Sequence, residues 1–349
     1  MLFSVQADTG SAITGYLVPD SHSARTSVVV SSDGVELLRM ETAESRDALV
    51  QAGRHDTGLC GFTVDEGVVP GLAGLADVEL REAESGILIY RRCPPEAVLE
   101  KKLFRLETNL LPLAKLDRAI RPAFRFHYPS IDRHGLETTQ QIFLLENHGS
   151  LYASGRVTLR SYEGYLEKGY ASIALIQEPF DELAERILVL RLIGQGFSSF
   201  LGPRDASLFE TAVALATELP IDGSPKDMRR ALRGMPESAA NALSNPLARQ
   251  LTTRSPGEQL TRTAVSASLT ALASFELIGL RDRADAFVET LADMLAIETD
   301  ALPALEPIGA VKQLGQLLRQ CPPAELLLEH DLALYEQVRG AFKKSGIEP

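Results

Sequence analysis

Residues 170–191 read YASIALIQEPFDELAERILVLR. The run from Tyr170 to Ile176 is apolar and β-prone without alternation, as a strand buried on both faces would be. Pro179 then breaks the strand, and DELAERILVLRLIG (181–194) carries the apolar spacing of an amphipathic helix. Strand, turn and helix together make one βα unit. Upstream, AFRFHYP (123–129) alternates like a strand and LETTQQIFLLEN (136–147) reads as a helix. SLYASGR (150–156) fits a strand or a turn, and EKKLFRLETNLLPLAKLDRAI (100–120) has apolar residues near helical spacing. Alternating strands and helices predict an α/β layer with parallel strands. From about 205 onward the chain reads as helical. Ser207-x-x-Glu210 has the form of a capping box, and Ser224-Pro225 and Ser255-Pro256-x-Glu258 have the form of helix N-termini. The last helix is expected over 326–345.

The first ninety residues have a different texture. Short β-prone runs recur at 13–18, 26–32, 35–40, 60–65, 77–83 and 86–92, separated by turn residues. Asp33-Gly34 between two of them is a hairpin signal. Only SRDALVQAG (45–53) has helical character. The pattern predicts an antiparallel β-sandwich over 1–92. Cys93-Pro94-Pro95-Glu96 ends it, since consecutive prolines fix the backbone and remove donors. The expected organisation is α+β and multidomain: a sandwich (1–92), a linker (93–99), and an α/β domain with a helical C-terminal region (100–345).

The chain has 349 residues, with 47 acidic against 35 basic side chains, a formal net charge of −12. A phosphate-tracking nucleic-acid binder needs a basic face, so nucleic acid is not an expected partner. Cys60, Cys93 and Cys321 are far apart and form no CxxC pair, which leaves no zinc-ribbon or redox motif and fits a reducing compartment. The start, MLFSVQADTG, lacks the basic and long apolar regions of a signal peptide, and the most apolar stretch, 187–197, contains Arg191 and is too short to span a bilayer. A cytoplasmic location without a transmembrane segment is the expectation.

Two resemblances add to this reading. Gly15-Tyr16, the Asp33-Gly34 hairpin, Arg46-Asp47 and Gly61-Phe62 resemble small β-sandwich modules attached to bacterial glycosyltransferases and other surface-polysaccharide proteins. Such modules are accessory and imply no chemistry. Over roughly 100–345 the order of elements is similar to that of P-loop sulfotransferases. The 170–191 unit resembles their strand, proline turn and helix, and 126–141 stands where they have a phosphosulfate loop. SFELIGLRDRADAFVETLADMLAI (274–297) and Asp331-Leu332-x-Leu334-Tyr335 look like their C-terminal segments. The resemblance implies a 3′-phosphoadenosine 5′-phosphosulfate site, but the signature residues depart from the family. The turn reads Gln177-Glu178-Pro179 where the family has Arg-Asp-Pro, and Glu182 and Glu185 fall where its phosphate-binding Arg and Ser belong. Carboxylates oppose the attraction of a helix N-terminus for phosphate. The upstream loop offers Arg133 and Gly135 but no lysine, and Asp132 opposes Arg133. The implied cofactor site is therefore degenerate.

Other candidates follow from residue types and spacing. His134 or Glu137 could act as a base on a substrate hydroxyl if the domain is active. His127, His134 and His148 lack metal-like spacing, so no metal is expected. Arg156 in SGR (154–156), with Arg160, could meet an anion or simply mark a turn. Lys226, Arg229, Arg230 and Arg233 lie at offsets of one helical face and, with Arg133 and Gly135, make up the candidate anion-binding set. The plainer reading of that stripe is a solvated face. Three functions stay open: a non-catalytic binding or assembly protein on a degenerate sulfotransferase-like fold, with a protein or glycan partner and no cofactor; an active carbohydrate sulfotransferase using 3′-phosphoadenosine 5′-phosphosulfate; and an interaction protein of unrelated α/β fold.

Overall fold

The structure, a computed structural model, describes residues 1–21, 24–145, 148–197 and 199–344. Glu146 and Asn147 of the expected helix 136–147, and Ser345 of the expected last helix, lie outside the described residues. Two compact bodies divide the chain. One comprises 1–102, 120–129 and 134–153, so that 93–99 lies inside it, and the other comprises 103–119, 130–133 and 154–349.

Residues 1–92 form two four-stranded antiparallel sheets. The strands are β1 (Leu2–Asp8), β2 (Ala12–Val18), β3 (Ser27–Ser32), β4 (Val35–Glu41) and β5 (Glu44–Ser45), then, after helix α1 (Asp47–Gln51), β6 (Leu59–Asp65), β7 (Val78–Glu82) and β8 (Leu88–Arg92). One sheet has the order β1-β2-β6-β5 and the other β4-β3-β7-β8. Every expected strand is present, and β1 and β5 are additional. Asp33 and Gly34 both take positive φ (48° and 77°) between β3 and β4, the primed turn that matches strand twist. Along β2 and β3 buried side chains alternate, with Ile13 and Leu17 on one and Val28 and Val30 on the other. Of the residues that carried the first resemblance, Gly15, Tyr16, Arg46, Gly61 and Phe62 come together, while Asp33-Gly34 belongs to the other sheet. Gly15 pairs with Phe62, and a Cβ at Gly15 would lie 2.7 Å from the Phe62 ring. The Arg46 guanidinium covers Gly61 and donates to the Gly15 carbonyl at 3.2 Å.

The remaining elements are β9 (Lys102–Leu106), α2 (Ala114–Ile120), β10 (Phe126–Tyr128), α3 (Leu136–Phe143), β11 (Leu151–Gly155), α4 (Glu163–Leu166), β12 (Tyr170–Ile176), α5 (Pro179–Gly194) and α6 (Pro203–Glu218). There follow α7 (Pro225–Arg233), α8 (Glu237–Leu243), α9 (Pro246–Thr252), α10 (Ala264–Leu272), β13 (Leu277–Leu280), α11 (Ala284–Leu295), α12 (Gly309–Leu318), α13 (Pro322–Leu327) and α14 (Glu329–Lys344). The five strands form one sheet of order β10-β11-β9-β12-β13. β10 pairs parallel with β11, and β12 with β13. Bonds from Leu151 N to Lys101 O and from Glu107 N to Gly155 O ascend together, so β9 and β11 are parallel as well. All seven residues of β12 are buried, as the unbroken apolar run required.

Several local expectations are corrected. The segment 100–120 is not one helix: its first part is β9, and only 114–120 is helical. Leu103, Phe104, Arg105 and Leu106 are all buried, so the apolar residues serve both faces of a central strand. Residues 277–280, read as part of the helical region, form strand β13. Ser207 caps nothing, because α6 begins four residues earlier at Pro203. Ser255-Pro256-x-Glu258 is a turn, in which Glu258 accepts from the Arg254 amide at 2.7 Å. Ser224 does cap α7, accepting from the Asp227 amide at 3.3 Å with Pro225 first in the helix. The last helical stretch is two helices, α13 and α14.

Around α5 the second body builds its main core. Leu183, Ile187 and Leu190 pack with Phe209 and Ala212 of α6 and Val311, Leu314 and Leu318 of α12. The close approach of α12 depends on Gly315, where a Cβ would collide with the Asp181 carboxylate.

Candidate functional site

Numbered along the chain, the five parallel strands lie in the order 2-3-1-4-5, with β9 in the centre. The chain passes from β11 on one side of β9 to β12 on the other. In open α/β sheets a ligand crevice forms at the carboxyl ends of the strands where the order reverses. Here those ends are Glu107–Leu113 after β9, Arg156 after β11 and Gln177–Glu185 after β12. The first of these segments was read as helix, so the loop at the centre of the crevice was missed. The signal that could have found it is the buried run Leu103–Leu106 followed by Thr108-Asn109 and Pro112, strand residues followed by turn residues.

A phosphate cradle needs free backbone N–H groups. In this loop the chain's own carboxylates take two of them. Glu185 Oε1 accepts from the Leu111 amide at 3.1 Å, and Glu107 Oε2 accepts from the Leu113 amide at 2.9 Å. The carbonyls are engaged too. Gln250 Nε2 donates to Glu107 O at 2.8 Å, Arg186 to Thr108 O at 3.3 Å, and Arg156 to Leu110 O at 3.4 Å. Thr108 Oγ1 donates to Leu175 O at 2.7 Å, and Asn109 Nδ2 donates to Glu185 Oε2 at 3.1 Å and to Gln177 Oε1.

The acids at the start of α5 are similarly engaged. Glu182 and Glu185, standing where the resemblance places Arg and Ser, are buried. Arg186 grips Glu182 through two bonds of 3.0 and 2.7 Å, one helical turn on. Glu178 caps the helix, accepting from the Asp181 amide at 3.0 Å. Asp181 accepts from Lys312 at 2.6 Å and from Arg319 at 3.0 Å, and Arg319 also reaches Glu178 at 2.6 Å. Glu178 and Asp181 therefore hold α12, while Glu182 pairs within α5 and Glu185 holds the loop after β9.

Burial dominates the electrostatics. Glu185 is pushed up to about 7 by desolvation, opposed by the Leu111 amide and Asn109 and reinforced by Glu182 and Glu107. Desolvation raises Glu182 as well, against the pull of Arg186, and raises Glu107 against Arg105. Beside the crevice a cavity of about 440 Å³ includes Gln177, Glu185, Arg281, Asp282 and Lys312 in its walls. Asp285 and Glu306 complete four acids against two cations, a poor setting for a nucleotide phosphate.

The other sequence candidates are dispersed. His134, Gly135 and Glu137 belong to the first body, and Arg133 to the second. Gly135 is the N-cap of α3, with the Asp20 carboxylate 3.4 Å from where its Cβ would be. Glu137 is exposed and pairs with Arg54 at 3.4 Å. Arg133 lies over the Phe200 ring, 5.8 Å from its centroid. Lys226, Arg229, Arg230 and Arg233 do share one face: all four are exposed on α7, while Met228 and Leu232 are buried. Arg156 pairs with buried Asp205. Asp331, from the C-terminal resemblance, is buried and accepts from the Leu247 and Ala248 amides at 2.9 and 2.8 Å. Among the described residues no three His, Cys, Asp or Glu side chains are grouped to hold a metal, and no helix is long and apolar enough to cross a membrane. No protein-family model and no curated protein sequence matches the chain.

Proposed function

We propose that this chain is a non-catalytic binding or assembly protein, built on a sulfotransferase-like α/β core whose phosphate crevice is closed from within. One observation carries the reading: Glu185 and Glu107 occupy the Leu111 and Leu113 amides that a phosphate would need. An incoming phosphate would have to displace two buried carboxylates and lie beside them, which is electrostatically unfavourable in a low-dielectric site. The two N-terminal sheets serve in this reading as an accessory β-sandwich module. The partner meets the exposed cations of α7, which in a chain of net charge −12 form a surface suited to an acidic protein or an anionic glycan.

Calorimetric titration with 3′-phosphoadenosine 5′-phosphate tests the proposal. The expected result is no saturable heat at micromolar ligand. A dissociation constant near about 1 μM would overturn it and restore the alternative, a 3′-phosphoadenosine 5′-phosphosulfate-dependent carbohydrate sulfotransferase.

A further inference from the structure

A second recess lies within the body that holds α5, α6, α8 and α9. Four guanidinium groups line it: Arg156, Arg186, Arg204 and Arg249. Two carboxylates are bonded to them among the described residues. Asp205 takes both Arg156 and Arg204, and Glu182 takes Arg186. Arg249 is bonded to neutral acceptors, the Ser244 carbonyl at 3.0 Å, the Glu258 carbonyl at 2.9 Å and the Ser244 hydroxyl at 3.3 Å. The half-buried Arg249 guanidinium is thus bonded to neutral groups, with the buried Asp331 carboxylate as the opposing charge that acts on it. Four guanidinium groups against Asp205, Glu182 and Asp331 leave the recess a small excess of positive charge. Phe209 stiffens the wall: Arg156 and Arg186 lie over its ring at 5.7 and 6.0 Å from the centroid.

A second, independent feature concerns Gln250. Its side chain is only 6% exposed and lines the same recess. Its amide Nε2 donates to Glu107 O at 2.8 Å, while its buried Oε1 has no partner. A buried amide oxygen without a donor is unfavourable and calls for one. The volume fixes the scale. The recess holds about 80 Å³, above the roughly 10–15 Å³ that one water needs. That is room for one tetrahedral or carboxylate group, with any sugar attached to it lying outside the recess.

We infer that this recess binds a small oxyanion that also carries a hydroxyl donor, of the phosphate-monoester kind, with Arg204 and Arg249 as its outer clamp and Gln250 Oε1 accepting from the hydroxyl. Arginine suits this task because its planar fork matches such oxygens. Either a free phosphate or a phosphorylated sugar presents the same group. The recess shares Arg156 with the crevice at the strand ends, but its clamp, Arg204 and Arg249, bonds no residue of the Glu107–Leu113 loop among the described residues, so the nucleotide titration and the present one can fail independently.

The test is calorimetry with inorganic phosphate and with glucose 6-phosphate on the full chain, its Arg204→Gln and Arg249→Gln variants, and Arg339→Gln on the exposed side of α14 as a surface control, each first checked for folding by thermal melting. Saturable phosphate binding with a dissociation constant below about 1 mM is expected. Each recess variant should weaken it by about tenfold or more, and the control should not. Arg204 is partly exposed, so its variant decides the matter if Arg249→Gln fails to fold. Tighter binding of glucose 6-phosphate supports a phosphorylated sugar, and equal affinity supports the free anion. No saturable binding of either, or binding that both recess variants leave unchanged, overturns the inference.

Discussion

Arg105 sits in the middle of the central strand, 1% exposed, with Glu107 at 2.7 Å and Asp117 at 2.8 Å. Breaking a buried pair strands its charges, a loss of about 3–5 kcal/mol. Arg105→Met should therefore lower the unfolding free energy by about that amount in denaturant titration, and a change within experimental error would show that Glu107 and Asp117 do not depend on it. Glu185 makes a second residue-scale prediction. Its carboxyl titrates near 7 in the fold, above the ordinary glutamate range. The folded chain thus holds a proton that the unfolded chain releases. This contribution to stability is full below the ordinary glutamate range and is lost as pH rises through about 7. Glu107, Glu178, Glu182 and Asp331 are also raised by burial and act in the same direction. The carboxylates lowered by partners, such as Asp8 and Asp205, act at lower pH. The melting temperature should accordingly fall between pH 5.5 and 8, with about 2–3 kcal/mol at stake from Glu185. Glu185→Gln should flatten the profile. A profile that rises over this range would contradict the assignment.

Helices α9 and α14 cap one another. Asn245, in the left-handed region at φ 44°, precedes α9, and its Oδ1 accepts from the His330 and Asp331 amides at 2.8 and 3.2 Å. Asp331 in α14 returns the contact to the Leu247 and Ala248 amides. Asn245→Ala should cost about 2 kcal/mol, and Asn245→Gly less, because glycine keeps the left-handed backbone and loses only the acceptor. Equal losses in the two melts would mean that strain, which alanine alone suffers, contributes nothing. At this scale the sequence was legible where punctuation was strong. Pro179 ends the apolar run of β12, and Asp33-Gly34 marks its hairpin. It was illegible at β9, where apolar residues on both faces of a central strand, broken by the buried Arg105, imitate helical spacing. The four-residue β13 carries too little pattern to stand out among helices.

Across the whole molecule, the fold class was visible in the change of texture near Cys93 and in the βα unit at 170–194, whereas the state of the crevice was not. Glu178, Asp181, Glu182 and Glu185 read as a repulsive face beside an open pocket, since a sequence shows charges without their partners. The partners come from far along the chain: Leu111 for Glu185, and Lys312 and Arg319 for Asp181. Arg186 for Glu182 and the Asp181 amide for Glu178 are the partners that lie within helical reach. The exchange rates of the Leu111 and Leu113 amides report the closure directly, because each is bonded to a buried carboxylate. Residue-resolved hydrogen exchange, with and without 3′-phosphoadenosine 5′-phosphate, should find both amides among the slowly exchanging loop positions and unaffected by the nucleotide. Fast exchange that the nucleotide slows would mean an open crevice waiting for its phosphate, and would contradict the closed site.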